Sequence, residues 1–277
     1  MTTQSLALTL PHARASRRTA GRPSLRATLT QTLMMAWRAL KKMSRNLEQS
    51  FDVLIQPLLF VPMFASIFGG AISSDGKMSG YLPLLIPGLL AQTALTACMA
   101  TGVQLREDMD KGVFDRFRSL PIARIAPLAG PALADVARYA VASVLTLAMG
   151  VAVGYRPAGG WGIPVGLALI IMAGWSLGWI FTWLGSVARS AQAVQGISMM
   201  IMFPLTFMSN AFVPASTLPG WLRAFVSVNP VSHIVTACRA LMNGGALTAD
   251  LGWAAAGCAV VVAVFAPMAV RAYSRKM

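Results

Sequence analysis

The chain has 277 residues, 56% of them hydrophobic and only 12% charged, with a formal net charge of +14. A soluble domain of this length carries about a quarter charged residues. Here the deficit falls in repeated uncharged runs, which excludes a single water-soluble core and marks an all-α polytopic membrane protein; the mean hydropathy of +0.63 agrees. The basic excess flanks those runs instead of gathering on a soluble fold, which argues against nucleic-acid binding and for orientation sorting.

In chain order, residues 1–24 hold Arg14, Arg17, Arg18 and Arg22 and no acid. They read as a disordered basic tail, and the apolar patch Leu6–Leu10 is too short for a signal-peptide core. An interfacial helix is expected over 25–47, where Leu25, Leu29, Leu33, Trp37 and Leu40 recur at helical spacing and Arg26, Arg38, Lys41, Lys42 and Arg45 take other faces. Span one is predicted at 53–73, with Pro57 and Pro62 kinking its start. Span two follows at 82–103 and contains Pro83 and Pro87.

The next stretch, Arg106 to Arg124, is where acids and bases crowd together. It holds four of the nine carboxylates, Glu107, Asp108, Asp110 and Asp115, with Arg106, Lys111, Arg116, Arg118 and Arg124. Read as a helix, it places Met109, Val113, Phe117 and Leu120 in one apolar stripe and sets Glu107–Lys111, Lys111–Asp115 and Asp115–Arg118 at ion-pair spacing. Pro121 ends it. A short amphipathic helix in water between two spans reads as a lever.

Span three is placed at 133–153. Asp135 and Arg138 fall in its first turns, spaced to pair on one face near headgroup level. Span four, 163–187, carries Trp175, Trp179 and Trp183 on one face and a Gly174-x-x-x-Gly178 packing motif. Span five, 193–212, is rich in methionine, which suits ordinary helix packing. The segment 213–250 is cut by Pro214, Pro219 and Pro230 into two short helices, 219–228 and 230–242, stopped by Gly244 and Gly245. Helices too short to cross form an interfacial or re-entrant hairpin. Span six is 251–270, and 271–277 is a basic end. Cys98, Cys238 and Cys258 have neither zinc nor disulfide spacing, and no metal site is expected.

Six spans put both termini on one side. Of the 23 bases, 18 fall on that side, Lys77, Arg156, Arg223 and Arg239 on the other, and Arg138 within span three. Both termini and the charged loop are therefore expected in the cytoplasm, and the hairpin outside.

With this order of elements the sequence resembles the permease subunit of ABC-2 type exporters, in particular the daunorubicin-resistance branch. Glu107, Gly112, Asp115, Arg116, Arg118, Pro121 and Arg124 match that family's loop after span two. Phe212, Val213, Pro214, Leu218, Pro219, Trp221, Asn229 and Pro230 match its outer hairpin. The likeness covers about Leu25 to Val270 and leaves out the Arg-rich tail. It implies a transport subunit and not an enzyme, in a bacterial plasma membrane. No GxxxxGK[ST] phosphate loop occurs here, so ATP and Mg would sit on a separate cytoplasmic ATPase subunit. Two permease copies, as a homodimer, would join two ATPase copies. Glu107, Asp110, Lys111, Gly112, Asp115, Arg116, Arg118, Pro121 and Arg124 would couple to the ATPase. Pro214, Pro219, Trp221, Asn229 and Pro230 would set the outer hairpin. The cargo would be a hydrophobic or amphipathic drug, antibiotic or lipid-like metabolite, with a polysaccharide or lipid-linked precursor as the alternative. An ion-coupled carrier wants several intramembrane carboxylates, and the expected spans offer Asp135 alone. An intramembrane enzyme wants paired catalytic groups, and none accompany His12 or His233.

Overall fold

Uncharged backbone in lipid must satisfy its own hydrogen bonds, and these runs do so as helices. The computed structural model describes residues 25–45, 47–72, 78–113, 126–214, 217–246 and 249–276, and the regular structure among them is helical. The order is α1 (Leu25–Arg45), α2 (Leu47–Ile72), α3 (Met78–Asp110), α4 (Ala126–Val153), α5 (Gly162–Val187), α6 (Ala191–Phe207), α7 (Gly220–Val228), α8 (Pro230–Asn243) and α9 (Asp250–Lys276). Among the described residues, four helices are long and apolar enough to cross a membrane: α3, α4, α5 and α9. Ile55–Gly70 of α2 and Ala191–Phe207 are shorter apolar helices.

α1, α5, α7 and α8 begin and end within one or two residues of the helices expected at 25–47, 163–187, 219–228 and 230–242. Gly244 closes α8 at φ 73°, a left-handed conformation that glycine adopts without strain. Three boundaries differ. α4 begins at Ala126, seven residues before the expected 133, because Pro127 lies in its first turn, where a missing N–H costs nothing. α3 continues past 103 to Asp110, since the charged residues that follow support another turn of helix. The expected single helix across Arg106–Leu120 is then interrupted, because Gly112 turns the chain at φ 65°. α6 stops at Phe207, not 212. There Ser209 Oγ donates to the Thr206 carbonyl (2.6 Å) and accepts from Ala211 N (3.2 Å), a local pattern that competes with the helical ladder.

α3 and α5 form the centre of the core, with Leu85, Ile86, Leu89, Leu90, Ile170 and Phe181 buried around them. The two helices touch backbone to backbone: a methyl on Gly102 would overlap the Phe181 carbonyl, and one on Gly185 the Gly102 carbonyl. The Gly174/Gly178 motif instead accommodates the Tyr139 ring and hydroxyl, a side chain and not a neighbouring backbone. The tryptophan stripe is packed in part against α9: Trp179 is buried beside Ala269, and Trp183 meets Phe265 edge-on at 5.8 Å. α1 lies against α4, with Met35 and Ala36 at Gly130. Its opposite side leaves Leu29, Leu33 and Trp37 exposed, Trp37 at 70%, as an interfacial helix requires.

Candidate functional site

The charged end of α3 is where four other helices meet it. Lys42 Nζ of α1 lies 2.7 Å from Asp108 Oδ1. Arg106 Nη1 donates to the carbonyl of Ala188 (3.0 Å), the residue capping the C-terminus of α5, where a cation meets the negative end of the helix dipole. Met109 packs with Leu105, Leu128 of α4 and Tyr273 of α9. Along α3 itself, Arg106 pairs with Asp110 and Lys111 with Glu107 (3.4 Å), both one helical turn apart. Glu107, Asp110 and Lys111 are largely exposed, so each such pair is worth only ~0–1 kcal/mol. Glu107, Asp110, Lys111 and Gly112 thus share one projecting corner. Asp115, Arg116, Arg118, Pro121 and Arg124 lie outside the described residues, as do two of the expected ion pairs.

Deeper along the same helices sits a buried charged cluster. Arg138 Nη2 lies 2.8 Å from Asp135 Oδ1, with side-chain exposures of 4% and 10%. Thr101 Oγ1 of α3 donates to Asp135 Oδ2 (2.6 Å), and Arg138 donates to the Ala97 carbonyl (2.8 Å). Tyr139 OH is 3.3 Å from Thr101 Oγ1. With α4 starting at Ala126, the pair lies in its third turn, buried and bonded to α3 rather than reaching outward.

At the other end, the hairpin is fastened by side chains bonded to backbone carbonyls. Asn229 caps both α7 and α8: its Oδ1 accepts from Val231 N (2.9 Å), while its Nδ2 donates to the Leu205 carbonyl (2.8 Å) beyond. Pro230 occupies the first turn of α8. Pro87 has no N–H to give the Pro83 carbonyl, four residues earlier in α3, and Asn243 Nδ2 supplies that bond at 2.9 Å. Arg239 donates to the Leu84 (3.2 Å) and Asn210 (2.9 Å) carbonyls, and Tyr81 OH to Phe212 O (2.9 Å). Tyr155 OH donates to Asn243 Oδ1 (2.7 Å), and burial pushes that phenol up to about 12. Pro219 precedes α7, Trp221 stands exposed on it, and the Pro214 carbonyl accepts from Thr217. His233 bridges Asp250 (2.7 Å) and the Ser227 carbonyl (3.0 Å), joining the end of α7 to the start of α9.

Asn229 and Pro230 meet at the junction of α7 and α8, whereas sequence reasoning did not single out Lys42, Arg106, Asp108, Thr101, Tyr155, Arg239 and Asn243 as partners. One signal was readable: two prolines inside span two predict orphaned carbonyls, and hence donors elsewhere in the chain.

The sequence matches the family described as ABC-2 type transporter over residues 30–243. It is 41% identical, over 92% of its length and 90% of the relative's, to a daunorubicin resistance ABC transporter permease protein of Streptomyces coeruleorubidus. A probable doxorubicin resistance ABC transporter permease protein of Mycobacterium tuberculosis is 27% identical over 88% of this chain and 89% of its own. An inner membrane transport permease of Escherichia coli is 22% identical over 72% and 78%.

Proposed function

This chain belongs to the ABC-2 type transporter family, and from that premise we propose how it is driven and what it carries. It is a membrane permease subunit of an ABC exporter. In our reading the charged corner of α3, with the residues that follow to Arg124, receives the push of an ATP-binding subunit on the cytoplasmic side. The observation that carries this is the convergence of α1, α4, α5 and α9 on the last two turns of α3. A force applied at Glu107, Asp110 and Lys111 reaches most of the bundle through one rigid rod. At 33 residues that rod is about 50 Å long, well beyond the ~30 Å of a bilayer core. A transition driven by a ligand needs such an element with different contacts in each state.

On the same reading α2 and α6 complete six spans, with both termini cytoplasmic in a bacterial plasma membrane. The irregular backbone after α6 is then tolerable at membrane depth because Asn229, Arg239 and Tyr81 satisfy its carbonyls. Two permease copies would join two ATPase copies. Met200, 80% exposed, with Met199 and Phe203 gives α6 an outer apolar face for the second copy. The cargo is an amphipathic, drug-like compound, in keeping with the resistance permeases among its relatives.

The test is a pull-down of the tagged chain from native membrane in mild detergent, with an ATPase assay of the eluate. A co-purifying P-loop subunit of roughly 30–40 kDa, lost when Asp115 and Arg116 are charge-reversed, is expected. A monodisperse sample with neither partner nor ATP hydrolysis overturns the reading.

A further inference from the structure

His233, in the first turn of α8, has an acceptor at each ring nitrogen. Nε2 lies 3.0 Å from the Ser227 carbonyl, which can only accept, so that nitrogen carries a proton. Nδ1 lies 2.7 Å from Asp250 Oδ1, and this second bond needs another proton, on the ring or on the carboxyl. The pair thus holds one proton more than a neutral imidazole beside an ionised carboxylate. We propose that His233 and Asp250 form a proton-operated latch between α7 and α9, closed while the pair holds that proton and open once it is lost.

The surroundings favour the closed form. Ser227 lies in the last turn of α7, where a cation answers the negative end of the helix dipole. Asp250 opens α9, where a carboxylate answers the positive end. The Trp253 indole stacks on the imidazole, ring centres 6.4 Å apart and 28° from parallel, and its electron-rich face suits an imidazolium. The place of His233 at the start of α8 opposes the charge. On α7 the charged residue is Arg223, which bonds the Leu218 carbonyl (3.3 Å). On α8 it is Arg239, turned to the Leu84 and Asn210 carbonyls. Residues 251–270 of α9, 78–105 of α3 and 162–187 of α5 carry no charge. The Ser227 hydroxyl donates to the Ala224 carbonyl (2.8 Å), so the ring meets the backbone of Ser227 and not a nucleophile. Side-chain exposures of 23% for His233 and 27% for Asp250 leave both open to proton exchange with water. An imidazole gains or loses its second proton between about pH 5 and 8. Acid therefore closes the latch and alkali opens it. Whichever nitrogen gives up its proton, one end of the bridge from Ser227 to Asp250 is lost.

The latch is independent of the transport reading, and testing it needs neither cargo nor ATPase. The full-length chain is purified in mild detergent, in an acid buffer of about pH 5.5 and an alkaline one of about pH 8.5, either side of the imidazole range. Hydrogen exchange of the α7 backbone is compared between wild type and variants in the same buffer, so that intrinsic exchange chemistry cancels. In Asp250→Asn the amide donates to an unprotonated Nδ1 while Nε2 still donates to Ser227 O, so the latch stays closed in either buffer. In alkali α7 is expected to exchange about tenfold faster in wild type than in Asp250→Asn, and in acid the two are alike. His233→Gln titrates nothing at this position, so wild-type α7 exchanges more slowly than this variant in acid and loses that advantage in alkali. This second comparison stands if Asp250→Asn fails to fold. His12→Gln, which removes the chain's other histidine, is expected to behave as wild type. Ratios to Asp250→Asn and His233→Gln that are the same in both buffers overturn the proposal. So does a change that α5 shows as fully as α7, since that is a loosening of the whole bundle.

Discussion

The two ends of the molecule use polar side chains in opposite ways. At the charged corner of α3, side chains pair chiefly with one another, Lys42 with Asp108, Arg106 with Asp110 and Lys111 with Glu107, and Arg106 alone also reaches a backbone carbonyl, that of Ala188. At the hairpin end, side chains bond the backbone: Asn229 and Asn243 donate to the Leu205 and Pro83 carbonyls of α6 and α3, and Arg239 and Tyr81 donate to the Asn210 and Phe212 carbonyls of the irregular segment after α6. The first kind of contact is worth little and is screened by salt, so partners can be exchanged cheaply. The second kind leaves a buried acceptor stranded when it breaks, at a cost of about 1–3 kcal/mol each. One end is built to rearrange and the other to hold. The buried Asp135–Arg138 pair lies between them and belongs, by its burial, to the holding class.

That contrast can be tested in descending order of effect. Asp135→Asn or Arg138→Met alone strands a buried charge and is expected to destabilise the protein by about 3–5 kcal/mol. Thermal unfolding in detergent reads this, and the double variant should lie closer to wild type than either single one. Next, Asn243→Ala removes the donor to the Pro83 carbonyl together with the acceptor for Tyr155 OH, and Asn229→Asp removes the donor to the Leu205 and Met208 carbonyls; each stranded group should cost about 1–3 kcal/mol. The aspartate keeps the acceptor for Val231 N, so its loss reports on the bonds from Asn229 Nδ2 to the Leu205 and Met208 carbonyls. A cost no larger than that of the corner pairs would dissolve the contrast. Last, Glu107→Lys should change stability by no more than about 1 kcal/mol while lowering substrate-stimulated ATP hydrolysis in the assembled transporter. Unchanged hydrolysis would remove Glu107 from the coupling surface.

Much of this was legible before the coordinates. Uncharged runs gave the helices, and Asn229–Pro230 with Gly244 gave the hairpin to within a residue, because caps and stops are local chemistry. Boundaries were lost where a local rule was outvoted. Span three is expected from 133, yet α4 starts at Ala126 and holds Pro127 and Pro131 in its first two turns. Ser209 ended α6 early through bonds that no periodicity reports. The misses at the site share one cause: Lys42 and Asp108 are 66 residues apart, and Arg239 and Leu84 are 155 apart. A pairing across such a distance leaves no trace in spacing. The charge count drew attention to Arg106–Arg124 because it recorded an excess, but it could not say that Arg106 reaches the end of α5.

The bond from Asn243 to Pro83 also sets an order of events in synthesis. The chain is made from its N-terminus, and 160 residues separate the stranded carbonyl from its donor. At about 5–20 residues per second, α3 waits roughly 8–30 s before α8 exists to complete it. During that interval the proline-bearing start of α3 carries an acceptor that lipid cannot serve. A chain that ends before Asn243 never closes that gap, so a truncated permease keeps a stranded acceptor that the finished one does not.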